Sequence, residues 1–256
     1  MSARTYIAIA GNIGAGKSTL VDFLCRTYGV QPFFEPGVEV KGADPNAPNA
    51  NENPYLADFY KDMKAWAFHS QVFFLTHKFR VHQELDKTPG LVVQDRSIYE
   101  DAEVFATALH KSGKITDRDW KTYSELYSTI CDAIKPPDLM VYLKCSIKTT
   151  KQRIRLRGRE MEQSIPTSYL RLLQESYDAW FDRWKSSEVL VIDTDRLDYI
   201  SDLVDRLDVL DRIERFLPTT KAVRETRSQP PIAVEDHAHL EVTPPPAPQG
   251  LGPSPG

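Results

Sequence analysis

Eight residues near the amino terminus, Gly11-Asn12-Ile13-Gly14-Ala15-Gly16-Lys17-Ser18, constrain this chain more than any others. They fit the spacing G-x-x-x-x-G-K-[ST]. They lie between a short apolar run, residues 5–10, and a segment in which Leu20, Leu24 and Tyr28 recur at helical spacing. In a strand–loop–helix unit of this kind, glycines let backbone N–H groups converge on phosphate oxygens, and the helix amino terminus adds positive potential. This P-loop reading makes Gly11, Asn12, Ile13, Gly14, Ala15, Gly16, Lys17, Ser18 and Thr19 the ATP-binding segment. Lys17 reaches the outer phosphates and Ser18 ligates Mg2+.

The rest of the chain alternates in the way such a unit requires. Short apolar runs at residues 31–34, 91–95, 138–143 and 189–192 read as strands, separated by helical patterns too long for hairpin connections. One continuous helix is expected over residues 54–87, with a stripe of Phe68, Val72, Leu75 and Phe79, and further helices over 98–111, 117–134 and 166–185, with a basic helix after the fourth strand. The fold class that follows is α/β, a five-stranded parallel sheet flanked by helices. The expected domain spans residues 1–216. Residues 37–53, rich in Pro, Asn and Gly, form a surface insertion. Residues 217–256, which hold nine of the eighteen prolines and no apolar period, form a disordered tail.

Composition narrows the function. A net charge of −4 argues against a nucleic-acid partner held by its phosphate backbone, which needs a basic surface. Cys25, Cys131 and Cys145 share no C-x-x-C spacing, so reduced thiols are expected rather than a disulfide framework or a zinc site. No apolar run approaches spanning length and the first strand begins almost at once, so a cytoplasmic protein with no membrane partner is expected.

In open parallel sheets ligands gather beyond the carboxyl ends of the strands. Two strands end informatively, in Phe33-Phe34-Glu35-Pro36 and in Gln94-Asp95-Arg96-Ser97. Glu35 is suited to accept the proton of an attacking hydroxyl, Arg96 to orient and neutralise charge, and Asp95 to hold Mg2+ through its water shell. Read singly, these are a loop charge, a helix cap and its salt partner; beside a P-loop they read together as a site. No N-K-x-D guanine-reading motif occurs.

These motifs, with W-A-F-H-S-Q and R-I-R-L-R-G-R-E-M-E-Q in the same order, resemble the deoxynucleoside kinase family, and more closely its bacterial purine type, from about residue 5 to 216. The resemblance implies phosphate transfer from ATP to the 5′-hydroxyl of a deoxyribonucleoside, in nucleotide salvage, by a homodimer. It makes Glu35 the general base and Arg96 its partner, and it makes residues 153–163 a lid in which Arg153, Arg157 and Arg159 close over the phosphates. It also implies that Gln71 bonds the base, that Trp66 and Phe105 line the pocket, and that Tyr60 and Glu162 hold the 3′-hydroxyl. Lys78 and Asp101 resemble the Arg/Asp pair of members that take deoxycytidine and purine deoxynucleosides, which favours deoxyadenosine or deoxyguanosine. Lysine lacks the two-pronged donor geometry of arginine, and an ordinary interhelical salt bridge is the other reading of this pair. Two competing functions stay open: a nucleoside monophosphate kinase of the thymidylate kinase type, and a P-loop adaptor that binds ATP without turnover.

Overall fold

The computed structural model describes residues 4–30, 32–34, 54–197 and 202–217, the side chains of residues 160 and 161 excepted. The strands are β1 (Thr5–Gly11), β2 (Pro32–Phe33), β3 (Leu91–Asp95), β4 (Leu139–Lys144) and β5 (Glu188–Asp193). The helices are α1 (Lys17–Tyr28), α2 (Leu56–Lys61), α3 (Met63–Lys87), α4 (Ile98–Glu100), a π-helical stretch over Asp101–Ala106, α5 (Thr107–Lys111), α6 (Asp117–Cys131), α7 (Ile147–Arg157), α8 (Glu160–Gln163), α9 (Thr167–Arg183) and α10 (Leu203–Glu214). All five strands pair in parallel in the order β2-β3-β1-β4-β5.

Two layers of core follow from the strand alternation. Tyr6, Ala8 and Ala10 of β1 face a cluster that includes Leu75, Tyr123, Leu173 and Trp180. Ile7 and Ile9 face the opposite cluster with Leu20 and Leu24 of α1 and Val209 and Ile213 of α10. β1 is buried along its whole length, as a central strand covered on both faces should be. Because the chain winds to one side of β1 and then to the other, the crevice at the carboxyl ends of β1 and β3 is the topological switch point.

Three local expectations differ from the structure. The continuous helix over 54–87 is broken at Asp62, whose backbone leaves the helical region (φ −141°, ψ 87°) and whose carboxylate accepts from Lys64 and Ala65 N–H, capping α3. The buried stripe of α3 is Ala67, Gln71, Leu75, Lys78, His82 and Leu85, while Phe68, Val72 and Phe79 are only half-buried. The helix over 98–111 contains the π-helical stretch, where the Thr107 hydroxyl bonds Ala102 O at 2.9 Å. α10 had no counterpart among the expected elements.

Cys25, Cys131 and Cys145 are all free, and burial pushes the Cys25 thiol up to about 12. Among the described residues no helix is long and apolar enough to cross a membrane. Glu35, the insertion at 37–53 and residues 218–256 of the expected tail lie outside the described residues, while Leu217, expected in the tail, is buried in the core with Val209 and Ile213.

Candidate active site

β1 runs into the phosphate loop at Gly11, where only glycine fits: φ is 151° and a Cβ would stand 2.6 Å from Leu143 O. Gly16, at φ 98°, turns the chain into α1. Ala15 N–H bonds Asn12 O at 3.0 Å across the loop. The Asn12 side chain fastens it to α9, donating to Leu170 O at 3.0 Å and accepting from Ile13 N–H at 2.8 Å. Lys17 Nζ folds back over the loop and donates to Gly11 O at 2.8 Å and Asn12 O at 3.0 Å. Arg153, expected in the lid, holds the far side, donating to Ala15 O and Thr194 Oγ1, each at 3.0 Å, and to Thr194 O at 2.6 Å. Glycines at a helix amino terminus with a lysine folded over them suit an anion.

β3 brings the Asp95-Arg96-Ser97 turn beside this loop, with Asp95 in register with Ile9 of β1. Asp95 is 1% exposed; Oδ2 accepts from the Ser18 hydroxyl at 2.5 Å, and Oδ1 has no hydrogen-bond partner among the described residues. A hydroxyl and a carboxylate with a spare buried oxygen suit a hard cation that takes its remaining ligands from phosphate and water, as Mg2+ does. Among the described residues no cluster of three or more His, Cys, Asp or Glu could hold a metal by itself, so the phosphates would have to complete such a site.

Arg96 is the one non-glycine residue with positive φ, at 62°, among those described. Such a conformation costs on the order of 1–3 kcal/mol and persists only where surroundings enforce it. Here they do. Arg96 N–H bonds Ile9 O at 3.0 Å, Lys78 Nζ donates to Asp95 O at 3.1 Å and Arg96 O at 2.5 Å, and the Arg96 guanidinium stacks 4.4 Å from the Phe105 ring centroid. Arg96 Nη2 also reaches Gly11 O at 3.5 Å, so the loop lysine and the strand-end arginine converge on one carbonyl.

Behind that carbonyl lies Glu100, which the sequence reading left without a role. Its Oε1 accepts from Gly11 N–H at 3.2 Å and from the Tyr177 hydroxyl, and it stands 3.7 Å from Arg96 Nε. Burial pushes its carboxyl above the ordinary range, against the opposing pull of Arg96, Lys17, Tyr177 and the Gly11 N–H.

Most of the expected acceptor residues lie on α2, α3 and the π-helical stretch, which pack on one another, and Glu162 lies on α8. Gln71 and Lys78 share the buried face of α3, at 3% and 1% exposure, and Gln71 Oε1 has no hydrogen-bond partner among the described residues. Lys78 turns to the two backbone carbonyls of the Asp95-Arg96 turn; Asp101, also buried, sits at the start of the π-helical stretch, and Phe105 lies in the same stretch. Tyr60 is half-buried on α2 beside Phe59, and Trp66 stacks on Tyr55 at 5.7 Å. Glu162 is joined to both remaining lid arginines, to Arg157 at 2.5 Å and to Arg159 at 3.4 Å, across the α7–α8 turn that Gly158 makes at φ 72°. A cleft of about 880 Å³ lined in part by Lys135, Phe181, Trp184 and Lys185 opens instead at the amino ends of β4 and β5, the wrong end of the sheet for this chemistry.

Known proteins resemble this chain in sequence and in fold. The deoxynucleoside kinase family model matches residues 7–218. The chain is 32% identical over 209 residues to a deoxyadenosine/deoxycytidine kinase of Bacillus subtilis (strain 168), covering 81% of this chain and 90% of the relative. It is 36% identical over 218 residues to a deoxyguanosine kinase of Lactobacillus acidophilus, covering 82% and 89%. A solved deoxyadenosine kinase from M. mycoides with bound dATP superposes with a TM-score of 0.67 at 25% identity, covering 82% of this chain and 99% of that one, so the fold is that of a P-loop kinase. The chain therefore belongs to the deoxynucleoside kinase family of phosphotransferases.

Proposed function

We propose that the enzyme transfers the γ-phosphate of ATP to the 5′-hydroxyl of a purine deoxynucleoside, deoxyadenosine or deoxyguanosine, in nucleotide salvage. The observation that carries this reading is the convergence of Lys17 and Arg96 on Gly11 O, with Ser18 and Asp95 beside them. Transfer of a phosphoryl group depends on positioning and charge screening; in this reading Lys17 would serve as the donor-side cation, Arg96 as the acceptor-side cation and Asp95 as the carboxylate beside them. Mg2+ held through Ser18 Oγ and Asp95 would screen the phosphates. Arg153, already anchored on the loop, and Arg157 and Arg159, now tied to Glu162, would add donors to the phosphate oxygens.

Glu35 is the proposed general base. It follows Phe34 at the end of the segment that holds β2, which pairs beside β3, and a carboxylate suits an uncharged alcohol. Replacing it with glutamine should lower kcat by roughly 10²- to 10⁴-fold. The purine preference draws on relatives named for deoxyadenosine and deoxyguanosine, and on the buried Gln71 amide, which both donates and accepts and so suits a base edge. Lys78 and Asp101 would set the base ranking, Lys78 through its hold on the Asp95-Arg96 turn. Tyr60, Trp66, Phe105 and Glu162 would complete the acceptor pocket. A cytoplasmic homodimer fits this reading, with the half-buried Phe68, Val72 and Phe79 of α3 as apolar surface for a second copy.

The nearest rival is a nucleoside monophosphate kinase, which needs cations for the acceptor's own phosphate. Assaying deoxyadenosine against its monophosphate as acceptor separates the two. Transfer to the nucleoside alone supports the proposal, and transfer to the monophosphate alone defeats it.

A further inference from the structure

We infer that Glu100 is a positioning residue for phosphoryl transfer, locking the first residue of the phosphate loop and the acceptor-side arginine into one fixed relation; this rests on the proposed activity. The local sequence suggests something simpler. Ser97-x-x-Glu100 has the spacing of a capping box, in which the glutamate would turn back to the backbone N–H of the serine. Half of that motif is present, since Ser97 Oγ accepts from Glu100 N–H at 3.4 Å. The Glu100 side chain instead crosses to β1 and α9, where Oε1 meets Gly11 N–H and the Tyr177 hydroxyl.

Gly11 is thereby gripped at both ends of its backbone. Its N–H is on Glu100; its carbonyl receives Lys17 at 2.8 Å, Tyr177 at 2.8 Å and Arg96 at 3.5 Å. Tyr177 has one proton and two acceptors in reach, Glu100 Oε1 and Gly11 O, so it couples the carboxylate to the carbonyl. Lys17 acts on the donor phosphates and Arg96 on the acceptor, and the Glu100 carboxyl interacts with both.

A purely structural part is a poor explanation of this carboxylate. Glu100 is fully buried, Oε2 has no hydrogen-bond partner among the described residues, and burial opposes its ionisation. Buried charges of this sort commonly cost stability relative to neutral replacements of the same shape. A buried carboxyl with a spare oxygen, set between two cations needed for transfer, is explained by alignment, where displacements near 1 Å cost about 10²-fold in rate.

The test compares Glu100→Gln and Tyr177→Phe with the full-length wild type, measuring kcat, KM for ATP, KM for the deoxynucleoside, and Tm. For Glu100→Gln the inference expects a Tm at or above wild type, kcat lower by about 30- to 100-fold, and both KM values within about threefold. Tyr177→Phe should lower kcat by about 5- to 10-fold in the same pattern, and the double variant should lose less than the product of the single effects, because the two side chains share one network around Gly11. Wild-type kcat in Glu100→Gln, or a loss that only follows a fallen Tm, overturns the inference, as does a rise confined to one KM. If Glu100→Gln does not fold, Tyr177→Phe decides alone: unchanged kcat refutes, and a pure kcat loss supports. A wild type that phosphorylates no nucleoside takes the functional reading and this inference down together, whereas an active wild type beside a fully active Glu100→Gln sinks the inference only.

Discussion

Replacing Asp95 with asparagine isolates a single charge. The carboxylate is 1% exposed, and of its two oxygens one accepts the Ser18 hydroxyl at 2.5 Å while the other has no hydrogen-bond partner among the described residues. Asparagine keeps the shape and still offers an oxygen to Ser18, so little structural energy is at stake, and removing a buried charge should hold or raise Tm. What is lost is the charge facing the phosphates and their cation. A charged hydrogen-bond partner contributes about 2–3 kcal/mol where a neutral one contributes about 1. If that difference of about 1–2 kcal/mol is lost from the transition state, at 1.36 kcal/mol per factor of ten, kcat falls by about 5- to 30-fold. Initial rates of ADP formation across a Mg2+ titration, with calorimetry alongside, measure both parts. The account expects a slower enzyme that needs more Mg2+, with an unchanged or higher Tm. A soluble variant with wild-type kcat and an unshifted Mg2+ requirement would refute the role given to Asp95.

Lys17→Ala removes the amine that folds over Gly11 O and Asn12 O, and should cut turnover by at least about 10²-fold, read by product formation at saturating ATP. Arg153→Met breaks the bonds to Ala15 O, Thr194 O and Thr194 Oγ1; a loss of about 2 kcal/mol would lower Tm by roughly 4–8 °C and should raise KM for ATP, checked by calorimetry and steady-state kinetics. Glu100 also predicts a pH dependence of stability. Burial holds its folded pKa above the ordinary 4.5, so its contribution is fully present below that value and is lost as pH rises through the folded one. The Tm advantage of Glu100→Gln over wild type should therefore grow between pH 5 and pH 8, and a constant difference would contradict the assignment.

The parts of this fold that were legible in the sequence are those dictated by local chemistry. The glycines of the loop are required by backbone angles and by the approach of Leu143 O, so their spacing alone announced the strand–loop–helix unit. Apolar runs separated by helical patterns too long for hairpins announced a parallel sheet. Asp95 and Arg96 were visible because they interrupt such a run at its carboxyl end. α3 misled because its buried face carries Gln71, Lys78 and His82 while Phe68, Val72 and Phe79 stay half-buried, so a reading based on hydrophobicity selects the wrong stripe. The break at Asp62 depends on a side chain choosing to cap α3 rather than continue α2, which helical periodicity does not register. Glu100 was hidden because a serine three residues earlier offers it a local role, and only the packing of α9 against β1 supplies the distant partners it takes instead. The joining of Arg157 and Arg159 to Glu162 was likewise beyond a reading that gave the arginines to one substrate and the glutamate to the other.

The most direct test is ATP-dependent phosphate transfer to the four natural deoxynucleosides measured in parallel with the purified full-length chain. The account predicts 5′-monophosphate products with the highest kcat/KM for deoxyadenosine or deoxyguanosine. Highest kcat/KM for thymidine, or no transfer to any of the four despite ATP binding, would contradict it.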